Sequence, residues 1–273
     1  MTSPGSTRAR PRRLACLGVL ATGAMLDAGR PPGAGPAAVG TIRGRIVLDG
    51  PAPAPKTVVA KGDPRVKDDV CKQGDITDKD LVVDPATKGV ANGFAYLVNP
   101  TGDWKAAEEA YIAGKPIVVI REEGCEFLPY ATVVHKDQKL GFKSSDPVGH
   151  NVRFSSFGGR SAQMLPSLGM PPRDGEIYTF TKKERLPTAI FCDIHPWMKG
   201  YFFVVDHPFA VVTKADGSFE IPNVPAGTQQ LVIWQGSKDY KGFVNEGGNK
   251  GMPVTVKAGE TTDVGALKVQ AAK

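Results

Sequence analysis

The residues best suited to chemistry stand in one short run, Cys192-Asp193-Ile194-His195-Pro196-Trp197-Met198, and in His150-Asn151 well upstream of it. Together they supply one thiolate, two imidazoles and one thioether. A Cys that closes one strand and a Met that opens the next, with a His between them in the loop, can aim three donors at one point. The fourth donor must come from elsewhere, and His150 can supply it from a neighbouring strand end. Two His and one Cys in a trigonal set, with a weak axial Met, is the combination that selects copper and suits it to one-electron exchange. Pro196 fixes φ within the short loop and so limits rearrangement when the charge on a metal changes. Asn151 is the kind of polar residue that can tie the two loops together behind the donors.

Two plainer explanations stand beside this one. A structural zinc site would use Cys, His and carboxylates in a closed tetrahedron and would have no use for Met198. Alternatively, Cys192 is a buried core thiol and Met198 a core filler, both common fates of those residue types. The two remaining histidines are isolated from other donors in sequence. His135 is expected to be a half-exposed strand residue and His207 a residue at a domain junction. They do not make a second metal site, so an oxidase or reductase is not expected and the chain is read as a non-enzyme.

The elements that must hold these donors are strands. The chain has 273 residues, with 32 Gly and 23 Pro among short β-branched runs, which favours sandwiches over helices. Residues 41–48, ending in Asp49-Gly50, predict an opening strand and turn, and 93–98 a second strand. Residues 211–221 predict a hairpin around Asp216-Gly217. Residues 231–234, 254–256 and 266–269 predict further strands. Residues 56–80 are charged and weakly patterned, which predicts a long loop pinned by Cys71, and 104–111 fit two helical turns.

Residues 1–39 resemble an export signal: Arg8, Arg10, Arg12 and Arg13 precede a short apolar core over 14–26 and a small-residue stretch over 28–38. That core is too short to span a bilayer comfortably. The Arg12-Arg13 pair also permits a twin-arginine route. Cys16, at the front of the apolar core, is read as part of the discarded signal. Five Arg and one Asp in this segment account for +4 of the chain's net charge of +6. The basic balance is therefore mostly an address, and no basic stripe interleaved with aromatics suggests nucleic acid. With Cys16 in the leader and Cys192 among the donors, Cys71 and Cys125 remain as a pair in an oxidising setting, where a disulfide is the natural outcome. The alternative is two buried or idle thiols.

The Cys-x-x-His-Pro-x-Met loop and the His-Asn-Val-x-Phe segment, 150–154, resemble the plastocyanin-like cupredoxins, and among them the short-loop amicyanins. The resemblance covers residues 115–206. It implies a Greek-key β-sandwich holding one type 1 copper ion with His150, Cys192, His195 and Met198 as ligands. It also implies that His195 is the solvent-facing electron port, with Pro196 and Trp197, and with Met170 and Pro171, as an apolar docking collar. Asp193 stands where a small or neutral residue is more familiar. The strands that flank this segment resemble the carboxypeptidase regulatory-like module, a small immunoglobulin-like or transthyretin-like sandwich. The expected architecture is all-β: an exported chain in which 113–206 form a cupredoxin domain inserted into a discontinuous sandwich of 40–112 and 207–273, the alternative being three consecutive units with 40–112 as an irregular N-terminal segment.

The function these expectations describe is single-electron carriage between redox partners in the periplasm or at the cell surface, with no nucleic acid and no small-molecule substrate. The alternative is a surface carbohydrate-binding or adhesion module whose copper is structural or stored.

Overall fold

The computed structural model describes residues 38–155, 161–163, 174–237 and 242–270. The export-signal reading of 1–39 and the place of Met170 and Pro171 lie almost wholly outside the described residues. What is described is all-β and multi-sheet, with one ten-residue helix, Lys105–Gly114, and two short 3-10 turns.

Among the described residues there are four main sheets. The first has three strands, with Val39–Asp49 in the centre, antiparallel to Ser218–Pro225 and parallel to Thr261–Gln270. The second runs Ala210–Val212, Phe94–Leu97, Gly227–Trp234, Met252–Val256. The third runs Ser161–Gln163, Arg153–Ser155, Thr188–Phe191, Lys199–Val205, Ala131–His135. The fourth runs Asp174–Thr179, Lys139–Ser144, Ile117–Glu123, Glu126–Leu128.

Sequence patterning explains how these sheets are covered. Ile117–Glu123 alternates exposed and buried residues, and Val39–Asp49 buries every second side chain, as strands with one covered face do. Phe94–Leu97 and Ala131–His135 are buried at every position, and Lys199–Val205 at all but the first. Their short continuous apolar runs are what strands covered on both faces require. Three apolar clusters follow. One, with Ile42, Ile46, Leu97, Phe219 and Ile233, lies between the first and second sheets. Another, with Phe94, Tyr96, Val133, Tyr201 and Phe203, joins the second sheet to the third. The last, with Ile120, Phe127, Leu140, Phe154, Ile190 and Phe202, lies between the third and fourth and contains Cys192 and Met198.

Several expectations need correction. The Asp216-Gly217 turn forms, with the Gly217 amide donating to the Lys214 carbonyl at 2.9 Å, and Gly217 takes φ +78°, which favours glycine. The strands on either side do not pair with each other, however. Ala210–Val212 joins the second sheet and Ser218–Pro225 the first, so the turn is a corner between facing sheets. Residues 56–80 are not a bare loop: they carry a small ladder, Thr57–Val59 with Ile76–Thr77, and the 3-10 turn Asp69–Lys72. Val59, Val66, Cys71 and Ile76 pack into the cluster that holds Cys192, and not with the strands that flank them in sequence. His135 is fully buried, where half exposure was expected, with Nε2 2.9 Å from a Glu108 carboxylate oxygen and Nδ1 accepting from the Asp137 amide.

Candidate metal centre

The loop after strand Thr188–Phe191 closes on itself through backbone hydrogen bonds. The Met198 amide donates to the His195 carbonyl at 2.8 Å, and the Cys192 amide to the Met198 carbonyl at 3.3 Å. That ring fixes Cys192, His195 and Met198 relative to one another before any side chain is considered. Strand Lys199–Val205 then continues from the loop, antiparallel to the strand that led into it. His150 arrives from the segment just before Arg153–Ser155, whose strand pairs with Thr188–Phe191. Asn151 ties the two segments in both directions: its Nδ2 donates to the Asp193 carboxylate at 2.9 Å, and its Oδ1 accepts from the Asp193 amide at 2.6 Å. Arg153 holds the other Asp193 oxygen at 2.7 Å. Asp193, out of place by family resemblance, is thus the anchor of this tie.

The donors converge. His150 Nδ1 and His195 Nδ1 lie 3.0 Å apart, and the Cys192 sulfur is 3.8 Å from His195 Nδ1. All three groups are buried, as is Met198, each at 2 % exposure or less. Donors placed about 2.0–2.3 Å from a shared first-row ion lie roughly 3–4 Å from one another, so the spacing fits a single metal.

The distal nitrogens strengthen that fit. His150 Nε2 is 2.8 Å from Asp146 Oδ2, and His195 Nε2 is 3.0 Å from Asp68 Oδ2. Ionised carboxylates only accept, so each Nε2 is the donor and a neutral imidazole then turns a bare Nδ1 toward the centre. Two lone pairs and a sulfur facing one another in a buried space require a cation, whether a proton or a metal. The charge states agree. Burial by itself pushes the Cys192 thiol up, but hydrogen bonds from His150 and His195, and from the Asn151 and His195 backbone amides, bring it down to about 5. Burial opposes a proton on His150, yet Asp146 and Cys192 raise it to about 9. A thiolate beside proton-holding imidazoles is a site that a metal ion can enter by displacing protons.

The expected electron port, His195, is buried and not solvent-facing, at 2 % exposure. The segment carrying Asp68 covers its outer nitrogen, and the Cys71–Cys125 disulfide, with Cα atoms 5.2 Å apart, lies against it. Of the expected collar, Pro196 is exposed and Trp197 half-buried, its ring centroid 5.2 Å from that of His195. Both line a cleft of about 380 Å³ that also meets Phe191, Tyr130 and Lys199.

Asp68 and Asp146 were missed in the sequence. Asp146 stands four residues before His150, a spacing that could have drawn notice. Asp68 stands three before Cys71, and the disulfide together with the packing of Val59, Val66 and Ile76 brings its segment to His195.

No family model and no curated protein matches the chain. Among solved structures it is similar to a Cu-containing nitrite reductase from Thermus scotoductus SA-01, with 23 % identity over 32 % of this chain and 22 % of that one, at a TM-score of 0.27. It is also similar to a reduced amicyanin variant, with 16 % identity over 33 % and 84 % of the two chains and a TM-score of 0.29. A purple cupredoxin from Nitrosopumilus maritimus shares 19 % identity over 33 % and 100 %, at 0.25. Overlaps this small leave the centre to be judged on its own side chains.

Proposed function

We propose that the protein is an exported type 1 copper protein that carries single electrons, with His150, Cys192, His195 and Met198 as the ligands. The observation that carries this reading is the convergence of a cysteine sulfur and two carboxylate-backed imidazoles on one buried point. Bound copper would supply the one-electron exchange between Cu(I) and Cu(II). Cys192 through its sulfur, His150 and His195 through their Nδ1 atoms and Met198 through its thioether would hold the ion, the thioether as the weakest donor. The interlocked Asn151-Asp193 pair and the closed 192–198 turn hold these groups in place in either charge state, which keeps rearrangement small. No substrate has to enter and no catalysis is proposed.

Because His195 is covered, contact with a redox partner falls to the exposed Pro196 and half-buried Trp197. Transient redox encounters need only a small surface of this kind. Among the described residues no helix is long and apolar enough to cross a membrane. Periplasmic or cell-surface location, protein redox partners and the division into an inserted cupredoxin, 113–206, within a sandwich of 40–112 and 207–273 belong to the same proposal. The pairing of Val39–Asp49 with both Ser218–Pro225 and Thr261–Gln270 supports that division.

The burial of both imidazoles favours one second reading, a structural or stored copper in a surface carbohydrate-binding or adhesion module. A potentiometric titration separates the two. Carriage predicts a reversible one-electron wave in the copper-loaded protein, and Met198→Leu should keep the metal while raising the potential. Irreversible loss of copper on reduction would reject carriage.

A further inference from the structure

We infer that Asp68 and Asp146 are positioning residues that set the metal's preferred charge, and that the Cys71–Cys125 disulfide clamps the two as one unit. This rests on the copper reading above. Each imidazole has its own carboxylate, but the two carboxylates come from segments far apart in the chain: Asp146 beside His150, and Asp68 from the covering segment near Cys71.

Asp146 is 5 % exposed and already fixed by two backbone donors, the amides of Gly124 at 2.7 Å and Cys125 at 2.8 Å. The Asp68 carbonyl accepts the Cys71 amide at 3.1 Å. The disulfide therefore links the turn that fixes the partner of His150 to the turn that bears the partner of His195. The same contacts recur in the donor groupings: the Cys71 and Cys125 sulfurs lie within 4.8 Å of a His195 nitrogen, and Cys125, Asp146 and His150 form a second group of that size. A free sulfur pair would be an idle neighbour; a bridge in this place holds both imidazole partners at once.

The chemical consequence has a definite sign. A carboxylate accepting the Nε2 hydrogen makes the opposite Nδ1 a stronger donor and brings negative charge near the centre. Both effects favour Cu(II) over Cu(I), so the pair lowers the reduction potential.

The test uses the full copper-loaded protein, its reduction potential, and its Cu(II) and Cu(I) affinities by competition. Asp146→Asn and Asp68→Asn are each expected to weaken Cu(II) binding about 10–100-fold. Cu(I) binding should fall less, and the potential should rise by about 59 mV for each tenfold difference between the two losses. Replacing both Cys71 and Cys125 with Ser should move the potential in the same direction. Asp69→Asn removes a charge from the same covering segment, but its side chain is 92 % exposed and engages Lys72 instead; its potential should match the wild type. Should the buried Asp146 variant not fold, Asp68→Asn decides alone, since that side chain is 39 % exposed. A wild type with thiolate–copper absorption, whose Asp68→Asn and Asp146→Asn variants share the Asp69→Asn potential, overturns this inference and leaves the copper reading standing. A wild type without that absorption overturns both.

Discussion

The cluster around Phe219 and the cluster around Cys192 are built from the same aliphatic and aromatic stock, yet they bury polar groups to different ends. Beside the first, Thr213, Gln229 and Asn245 each close a backbone gap. Thr213 Oγ1 accepts from the Gly93 amide at 2.9 Å and donates to the Val90 carbonyl at 2.8 Å. Gln229 Nε2 donates to the Thr101 and Pro225 carbonyls, and Asn245 Oδ1 accepts from the Ile233 amide. Around Cys192 the polar groups face one another: Nδ1 against Nδ1, sulfur against Nδ1, with carboxylates behind. A buried polar group with a backbone partner stabilises a fold. Buried ring nitrogens that converge with a sulfur on one point describe a place for a cation.

The comparison breaks most completely if the two halves are not built as proposed. Expressed alone, residues 207–273 should show no cooperative unfolding, because Ser218–Pro225 and Thr261–Gln270 lose the strand Val39–Asp49 that lies between them. A cooperatively folded 207–273 fragment would show that this segment forms a core without the N-terminal strands and would reject the proposed division. Residues 113–206 alone should bind copper poorly as well, since Val59, Val66, Ile76 and Asp68 are supplied by the segment left out.

A smaller break comes from the disulfide. Replacing Cys71 and Cys125 with Ser should cost on the order of 2–4 kcal/mol in chemical denaturation. The loss should fall on the half that holds Cys192. Equal loosening of both halves, read by hydrogen exchange, would contradict the separate cores.

Thr213→Val sharpens the contrast further. It leaves the Gly93 amide and the Val90 carbonyl short of a partner and should cost about 1–3 kcal/mol, with no change in the spectrum of bound copper. Asn151→Ala should do the reverse, altering the spectrum through the loosened His150 segment. A spectrum that follows Thr213 and ignores Asn151 would reverse the roles assigned to the two regions.

The smallest effect concerns acid. Burial holds His207 down to about 4 from its ordinary 6.5. The unfolded chain therefore takes up this proton first, and the contribution to stability is full above about pH 6.5 and lost as pH falls toward 4. His207→Gln, which can still accept from the Phe209 amide, should flatten the decline of stability across that window. An unchanged slope would assign the decline to other groups.

Much of this was legible. The 192–198 loop and His150 were found from residue type and spacing, because metal donors are few and their combinations restrictive. The opening strand and the 93–98 strand were found from alternation and apolar runs. What escaped depends on contacts distant in sequence. Nothing local to His135 reveals that it is fully buried with Glu108 of the helix against its outer nitrogen. The Asp216-Gly217 motif encodes a turn but not whether its arms pair, and here facing sheets take one arm each. Residues 56–80 lack a pattern because their order comes from the disulfide and from a core to which they add only a few side chains. The cover over His195 is legible only once Cys71 and Cys125 are joined.

The most direct test of the central claim is the visible and EPR spectrum of the protein loaded with one equivalent of Cu(II). A thiolate bound to Cu(II) gives intense visible charge transfer, so a strongly coloured protein with one copper per chain is expected, together with complete bleaching in Cys192→Ser. A colourless protein, or one whose colour survives Cys192→Ser, would contradict the account.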